Sequence, residues 1–240
     1  MSAQVSSSNR QLDCPSTAFL SSQICLHDLP TSHTSRAGRM LKRAFDIIGA
    51  LTLLLILAPL FPLLALAVRL DGGPALYGHR RIGCNDRSFK CLKFRTMAAD
   101  ADRMLAQHLA ENPRAAAEWA RNRKLANDPR ITRIGAILRK TSLDELPQLI
   151  NVLRGEMSLV GPRPVVDDEL EEHYGPAGRI AYSAMRPGIT GLWQISGRSD
   201  TTYRERVTLD ITYGSNWSFL LDVKILLMTV PAVLMRRGAV

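Results

Sequence analysis

Neither glycine-rich phosphate signature occurs in this chain. There is no Walker A motif and no G-x-G-x-x-G, so a nucleotide, if one is bound, sits on another scaffold. The four cysteines, Cys14, Cys25, Cys84 and Cys91, contain no C-x-x-C pair, and read as reduced cytoplasmic thiols. His79, Cys84 and Cys91 lack both a fourth ligand and the spacing of a common zinc site. The N-terminus has no basic start, compact apolar centre or small-residue cleavage site, which argues against a secretory signal peptide. Over 240 residues there is no internal repeat and no sign of a second domain, which leaves one sizeable core with a tail.

What is present begins with charge. The net charge is +9, from 31 Lys and Arg against 22 Asp and Glu, and calls for an anionic partner: nucleic acid, lipid headgroups or phosphorylated substrates. Met1 to about Gly38 is rich in Ser and Thr without a helical period and reads as a disordered tail. From Ile47 to Val68 no residue is charged; as a straight helix this run measures roughly 33 Å, enough to cross a bilayer. Pro59 and Pro62 interrupt it. Each removes a helical hydrogen bond at a cost of about 3 kcal/mol, so the helix should break at Ala58-Pro59. Either arm then reaches only some 15 to 18 Å, about half the hydrocarbon depth.

Arg36, Arg39, Lys42 and Arg43 precede the run, and Arg69, Arg80 and Arg81 follow it. Basic flanks on both sides place both ends in the cytoplasm. An ordinary kinked span remains the alternative, because membrane helices tolerate proline. The uncharged run itself argues against a nucleic-acid-binding protein.

Further along, Ala75 to Met97 suggests short extended pieces around Gly83-Cys-Asn-Asp86, and Ala98 to Ala126 a helix interrupted at Asn112-Pro113. Ile131 to Leu138 and Leu146 to Leu153 read as short helices. Gly161-Pro-Arg-Pro164 reads as a rigid loop carrying Arg163. Phe219 to Met235, with Trp217 before it and Arg236-Arg237 after it, suits a helix lying at a membrane surface and bent at Pro231, or a core helix with a basic cap.

The segment Leu138-Arg-Lys-Thr-Ser-Leu-Asp-Glu-Leu-Pro-Gln-Leu-Ile-Asn151 sets an acidic pair, Asp144 and Glu145, just after a cationic pair, Arg139 and Lys140. A carboxylate can attack phosphorus or hold Mg²⁺ while nearby cations offset the charge of a phosphoanhydride. The same residues also suit a helix start, with Asp144 as N-cap and Pro147 at N3, or Ser142 and Glu145 as a capping box. Lys93-Phe-Arg-Thr-Met97, Arg163 and Arg186-Pro-Gly188 are candidate diphosphate clamps, because Arg forks bind phosphate bidentately. Trp193 suits base stacking, the membrane interface or, most simply, core packing.

Taken with Lys42-Arg43-Ala-Phe-Asp46, Gly155-Glu-Met-Ser-Leu-Val-Gly-Pro-Arg-Pro164 and Arg186-Pro-Gly-Ile-Thr-Gly-Leu-Trp-Gln194, these motifs closely resemble the bacterial sugar transferases, or monotopic phosphoglycosyl transferases, over about residues 39 to 240. The resemblance implies a mostly α fold with a few short β-strands. Its parts are a tail over 1–38 and a transferase domain over 39–240. That domain holds a proline-broken re-entrant membrane helix over 47–68 and a compact cytoplasmic catalytic part over 71–240 with membrane-surface amphipathic helices. Relatives often break at Ser-Pro, where this chain has Ala58-Pro59.

It further implies transfer of a sugar-1-phosphate from a UDP-sugar to a polyprenyl (undecaprenyl) phosphate with release of UMP, the first membrane step of exopolysaccharide or glycoconjugate synthesis. Asp144 would be the nucleophile, Glu145 would assist proton or metal handling, and Lys93, Arg95, Arg139 and Arg163 would bind substrate phosphate. Mg²⁺ would sit near Asp144. The implied partners are the donor, the acceptor and membrane lipids, with a homodimer admitted and no nucleic acid. The implied location is the cytoplasmic face of the bacterial inner membrane. Galactose is slightly preferred over glucose by resemblance to the exopolysaccharide-initiating branch. The competing reading is a non-catalytic membrane-associated scaffold whose acidic pair caps a helix.

Overall fold

The computed structural model describes residues 35–122, 125–197 and 201–234. Most of the expected tail and the Arg236-Arg237 pair lie outside that set. Helix α1 (Arg36–Leu57) starts inside the stretch assigned to the tail, because Ser35 caps it by accepting the Gly38 N–H at 3.0 Å. Helix α2 (Leu60–Leu70) follows at a 67° bend. Pro59, without an N–H, sits at the break, and Pro62 falls in the first turn of α2, where a missing donor costs little. The break expected at Ala58-Pro59 is therefore where the chain turns.

An antiparallel hairpin comes next, β1 (Leu76–Ile82) and β2 (Ser88–Phe94), joined by a tight turn over Cys84–Asp86. Its register sets Tyr77 opposite Lys93 and His79 opposite Cys91. With period-two alternation, Tyr77, His79 and Arg81 then share one face with Lys93. Helices α3 (Ala101–Glu111) and α4 (Pro113–Asn122) part at Asn112, as its following proline requires. Helix α5 (Arg133–Thr141) is capped by Thr132 and ends at Ser142, whose φ of 57° turns the chain back. A single 3₁₀ turn, Leu143–Glu145, then leads to α6 (Gln148–Arg154).

Strand β3 (Ser158–Val160) pairs in parallel with β4 (Gly188–Thr190). Between them run the Gly161–Pro164 loop, a short turn α7 (Asp167–Glu169) continuing into a π-helical segment Leu170–Tyr174, and α8 (Gly175–Ser183). A Cβ on Gly188 would fall 2.1 Å from the Gly161 backbone nitrogen, so only glycine lets the two backbones approach this closely. Helices α9 (Leu192–Ile195), α10 (Tyr203–Ser215) and α11 (Phe219–Leu234) complete the fold. The architecture is mostly helical with four short strands among the described residues.

Three apolar clusters hold these elements together. The largest gathers Ala50 of α1, Val152 of α6, Leu159 of β3, Tyr213 of α10 and Ile225 of α11. A second joins α8 to α10 through Ala181, Tyr182, Val207 and Ile211. The third packs Val68 of α2 and Phe94 of β2 on Leu138 of α5. Helices α1 and α2, the hairpin and the C-terminal helices thus converge on the segment from α5 to the Gly161–Pro164 loop, which carries the acidic pair and Arg163.

Candidate active site

The acidic pair is not a helix cap. Ser142 makes no side-chain cap bond to the 3₁₀ turn, and α6 begins only at Gln148, behind Pro147. Both capping schemes expected from the sequence fail because the left-handed Ser142 starts a separate turn, which projects Asp144 and Glu145 instead of paying them into a helix N-terminus. Asp144 is buried at 8 % exposure, whereas Glu145 is half-buried.

Hairpin and α6 meet at this turn through Asn151. Its Oδ1 accepts the Leu92 N–H at 2.9 Å and its Nδ2 donates to Lys90 O at 2.8 Å. That strut carries Lys93 to the acidic pair: Nζ lies 2.6 Å from Glu145 Oε1 and 3.8 Å from Asp144 Oδ2. Burial raises the Asp144 carboxyl above the usual carboxylate range, Lys93 and Arg139 oppose the rise, and Glu145 adds to it.

Arg139 approaches from α5, with Nε donating to Thr96 Oγ1 at 2.8 Å, and burial lowers its own affinity for the proton. The approach needs Gly135, since a Cβ there would stand 2.0 Å from Thr96 O. Arg163 reaches the site from its proline-bracketed loop with its guanidinium 5.2 Å from the Trp193 ring centroid. Arg206 of α10 lies over the same ring at 5.1 Å, and the indole Nε1 donates to Thr201 Oγ1 at 2.7 Å. Trp193 is therefore a half-buried platform for guanidinium groups and not the core residue expected.

Lys93, Arg139, Asp144, Glu145, Arg163 and Trp193 line one cavity of about 1090 Å³. Arg95 lines it too, yet its Nη2 donates to Val68 O at 2.9 Å, so this residue also anchors the last turn of α2. Its Nε and Nη1 are buried without a hydrogen-bond partner, a state in which an anion would be welcome. Arg186 does not join the group: its Nε donates to Gly155 O at 2.8 Å, behind α6, which corrects the expectation that it clamps a diphosphate. Ala58 and Pro59 sit at the bend between α1 and α2, while Leu53 and Leu57 of α1 and Leu226 of α11 supply apolar wall to the cavity.

Sequence reasoning missed Arg81, Arg206 and Asp210. Arg81 shares the cavity-lining face of β1 with His79 and lies 3.8 Å from Glu169. Asp210 is buried on α10, accepts the Tyr174 hydroxyl at 2.7 Å and has the Arg163 backbone amide turned toward it; burial pushes its carboxyl up to about 6. The period-two placement of Arg81 beside Lys93 was a usable signal. For α10 there was none, because Arg206 and Asp210 interrupt the buried face that Val207 and Ile211 would otherwise mark.

Among the described residues no third carboxylate, histidine or cysteine joins Asp144 and Glu145 to form a cluster of three. The arrangement can do one kind of chemistry well. A desolvated carboxylate stands among cations, in a cavity with apolar walls, where charge on phosphate is offset and a nucleophile is held in place.

Comparison with known proteins gives a family and several relatives. The model of the family described as bacterial sugar transferase matches residues 37–236. The exopolysaccharide production protein ExoY of Rhizobium meliloti (strain 1021) is 55% identical over 203 residues, covering 84% of this chain and 89% of the relative. The undecaprenyl-phosphate galactose phosphotransferase of Salmonella typhimurium is 48% identical over 221 residues, 92% of this chain but 46% of that longer protein. The UDP-glucose:undecaprenyl-phosphate glucose-1-phosphate transferase of Caulobacter vibrioides is 42% identical over 201 residues, 80% of this chain and 69% of the relative.

Proposed function

The chain belongs to the bacterial sugar transferase family and is a phosphoglycosyl transferase; on that premise we propose that it moves a sugar-1-phosphate from a UDP-sugar to undecaprenyl phosphate, through a covalent bond to Asp144. The observation that carries this reading is the environment of Asp144: a carboxylate 8 % exposed, beside Lys93 and Arg139, in a cavity that also takes wall from Leu53 and Leu57 of the proline-broken helix. A diphosphate needs the cations, and a prenyl chain needs the apolar wall.

In the first step an Asp144 oxygen attacks the sugar-linked phosphorus of the donor. The bond from that phosphorus to the bridging oxygen breaks, and UMP leaves with the electron pair. In the second step a phosphate oxygen of undecaprenyl phosphate attacks the same phosphorus, which frees Asp144 and yields the lipid diphosphate sugar. Lys93 and Arg139 favour the ionised carboxylate that attack requires. Arg163, steadied on Trp193, and Arg95, whose Nε and Nη1 have no hydrogen-bond partner, take charge on the phosphates.

Asp144 and Glu145 fit a magnesium ion as a donor set, since Mg²⁺ takes one or two carboxylates and completes its octahedron with water and phosphate. When bound, it would neutralise the diphosphate. Glu145 would hold the ion in exchange for part of its ion pair with Lys93, now 2.6 Å away, which would leave Asp144 an oxygen for attack.

For the membrane we propose a re-entrant loop. No single described helix is long and apolar enough to cross a bilayer, while α1 and α2 together pass that test with the 67° bend between them. Leu51, Leu55, Ile56, Leu63 and Leu66 of this pair are exposed, as are Leu220, Leu227 and Val230 of α11. That surface supports α11 lying on the cytoplasmic face of the inner membrane beside the inserted pair. The reading is tested by a panel of UDP-sugars assayed for UMP release with and without undecaprenyl phosphate. UDP-galactose is expected to be the leading donor, and no release from any of them would sink the reading.

A further inference from the structure

The Gly161–Pro164 loop is anchored at its start by side chains from distant parts of the chain. Val160 O accepts from Lys42 Nζ at 3.0 Å and from Tyr213 OH at 3.1 Å. Both donors also reach Asp222 of α11: Lys42 Nζ lies 2.6 Å from Oδ2, and Tyr213 OH lies 2.7 Å from Oδ1. Trp217 Nε1 adds a third contact to Asp222 at 3.1 Å. One turn beyond Lys42, Asp46 accepts the Leu159 N–H at 3.0 Å and stands 2.9 Å from Ser158 Oγ. Asp46, Ser158 and Asp222 are each 2 % exposed or less. Helix and strand touch so closely that a Cβ on Gly49 would fall 2.6 Å from Leu159 Cδ1.

Lys42 and Arg43 were counted above as basic flanks of the membrane run. Arg43 in fact donates to Val152 O at 2.7 Å and Leu153 O at 3.1 Å, closing the end of α6. Lys42 is spent on Asp222 and Val160. A lysine whose task was to meet headgroups would keep its ammonium in water, because burial against one carboxylate and one carbonyl takes it away from the surface. Lys42 and Asp46, four residues apart on one face of α1, instead grip all three residues of β3, directly ahead of Arg163.

We propose that Lys42 and Asp46 are positioning residues for the reaction: acting through Leu159 and Val160, they fix the Arg163 loop against the acidic pair, so that the seating of the membrane helix sets the donor phosphate geometry. The proposal rests on the reading of Arg163 as a donor-phosphate ligand. It makes α1 part of the active-site frame as well as an anchor.

The test measures UMP release by purified enzyme in lipid nanodiscs, normalised to inserted protein, for Lys42→Met, Lys42→Arg and Tyr213→Phe. Lys42→Met and Tyr213→Phe should each raise KM for the UDP-sugar three- to tenfold, lower kcat less, and leave KM for undecaprenyl phosphate within twofold. Lys42→Arg, which keeps a cationic donor, should recover at least half of the loss. In an Arg163→Ala background Lys42→Met should add less than twofold, because the residue it positions is gone. If Lys42→Met does not fold, Tyr213→Phe carries the same expectation with the loss of one hydroxyl.

An unchanged donor KM in the inserted variants, or an equal loss with and without Arg163, overturns the proposal. Wild-type enzyme that releases no UMP would overturn the functional reading beneath it, so the two failures are told apart.

Discussion

Replacing Asn151 by leucine probes the strut that joins the acidic turn to the hairpin. Asn151 is 0 % exposed and makes three hydrogen bonds: from Leu92 N at 2.9 Å, to Lys90 O at 2.8 Å and to Glu156 Oε2 at 2.6 Å. Leucine has nearly the same volume but satisfies none of them. The Leu92 N–H and Lys90 O then lose their partner at about 1 to 3 kcal/mol each, partly offset by about 1 kcal/mol of added apolar burial. A net loss of roughly 3 kcal/mol corresponds to a fall in Tm of about 6 to 12 °C for a domain of this size.

Thermal denaturation of the detergent-solubilised enzyme reads the loss directly. Because Lys93 follows Leu92 on β2, kcat/KM for UMP release should fall at least tenfold in the cool, still-folded variant. Asn151→Asp, which would set a second carboxylate oxygen against Lys90 O and Glu156, should be no better tolerated. An Asn151→Leu enzyme that melts within about 2 °C of wild type with unchanged kcat/KM would refute the reasoning.

Other perturbations separate the parts of the site. Asp144 must be ionised to attack, so the acid limb of kcat/KM should lie above the ordinary carboxylate range, and Lys93→Met should move it to higher pH, since Lys93 opposes the rise; a limb unmoved by Lys93→Met would break that link. The folded chain holds the Asp144 proton to higher pH than the unfolded chain, so this group costs stability progressively as pH rises from the unfolded value through the folded one. Asp144→Asn should accordingly melt higher than wild type above that window and level with it below, as Tm against pH would report. Gly135→Ala drives a methyl to 2.0 Å from Thr96 O and should cost about 1 to 3 kcal/mol in urea unfolding while loosening Arg139. Arg163→Lys loses the planar group stacked over Trp193 and should raise donor KM about tenfold, with the acceptor KM as the control.

Local chemistry made part of this legible beforehand. Pro59 dictates the break between α1 and α2, Asn112-Pro113 parts α3 from α4, and the turn residues around Gly83 join two strands as expected. The acidic pair and the Arg163 loop stood out by spacing and meet in one cavity.

What stayed hidden depends on partners far along the chain. Lys42 looked like a membrane flank, yet its partner Asp222 lies 180 residues away. Helix α10 shows no clean apolar stripe because Arg206, Asp210 and Tyr213 share its buried face with Val207 and Ile211, and the partners of Asp210 and Tyr213, Tyr174 and Asp222, are announced by no local pattern. The capping schemes misled because a left-handed Ser142 was not foreseen, and such a conformation in a non-glycine residue is settled by tertiary packing.

The most direct test of the central claim is a single-turnover experiment without acceptor. Enzyme in molar excess is mixed with UDP-sugar, UMP is counted, and the protein is digested for mass spectrometry. The account predicts UMP release without undecaprenyl phosphate and a phosphosugar on the peptide containing Asp144, both lost in Asp144→Asn. UMP release that begins only when undecaprenyl phosphate is added, or an adduct on any other residue, would contradict it.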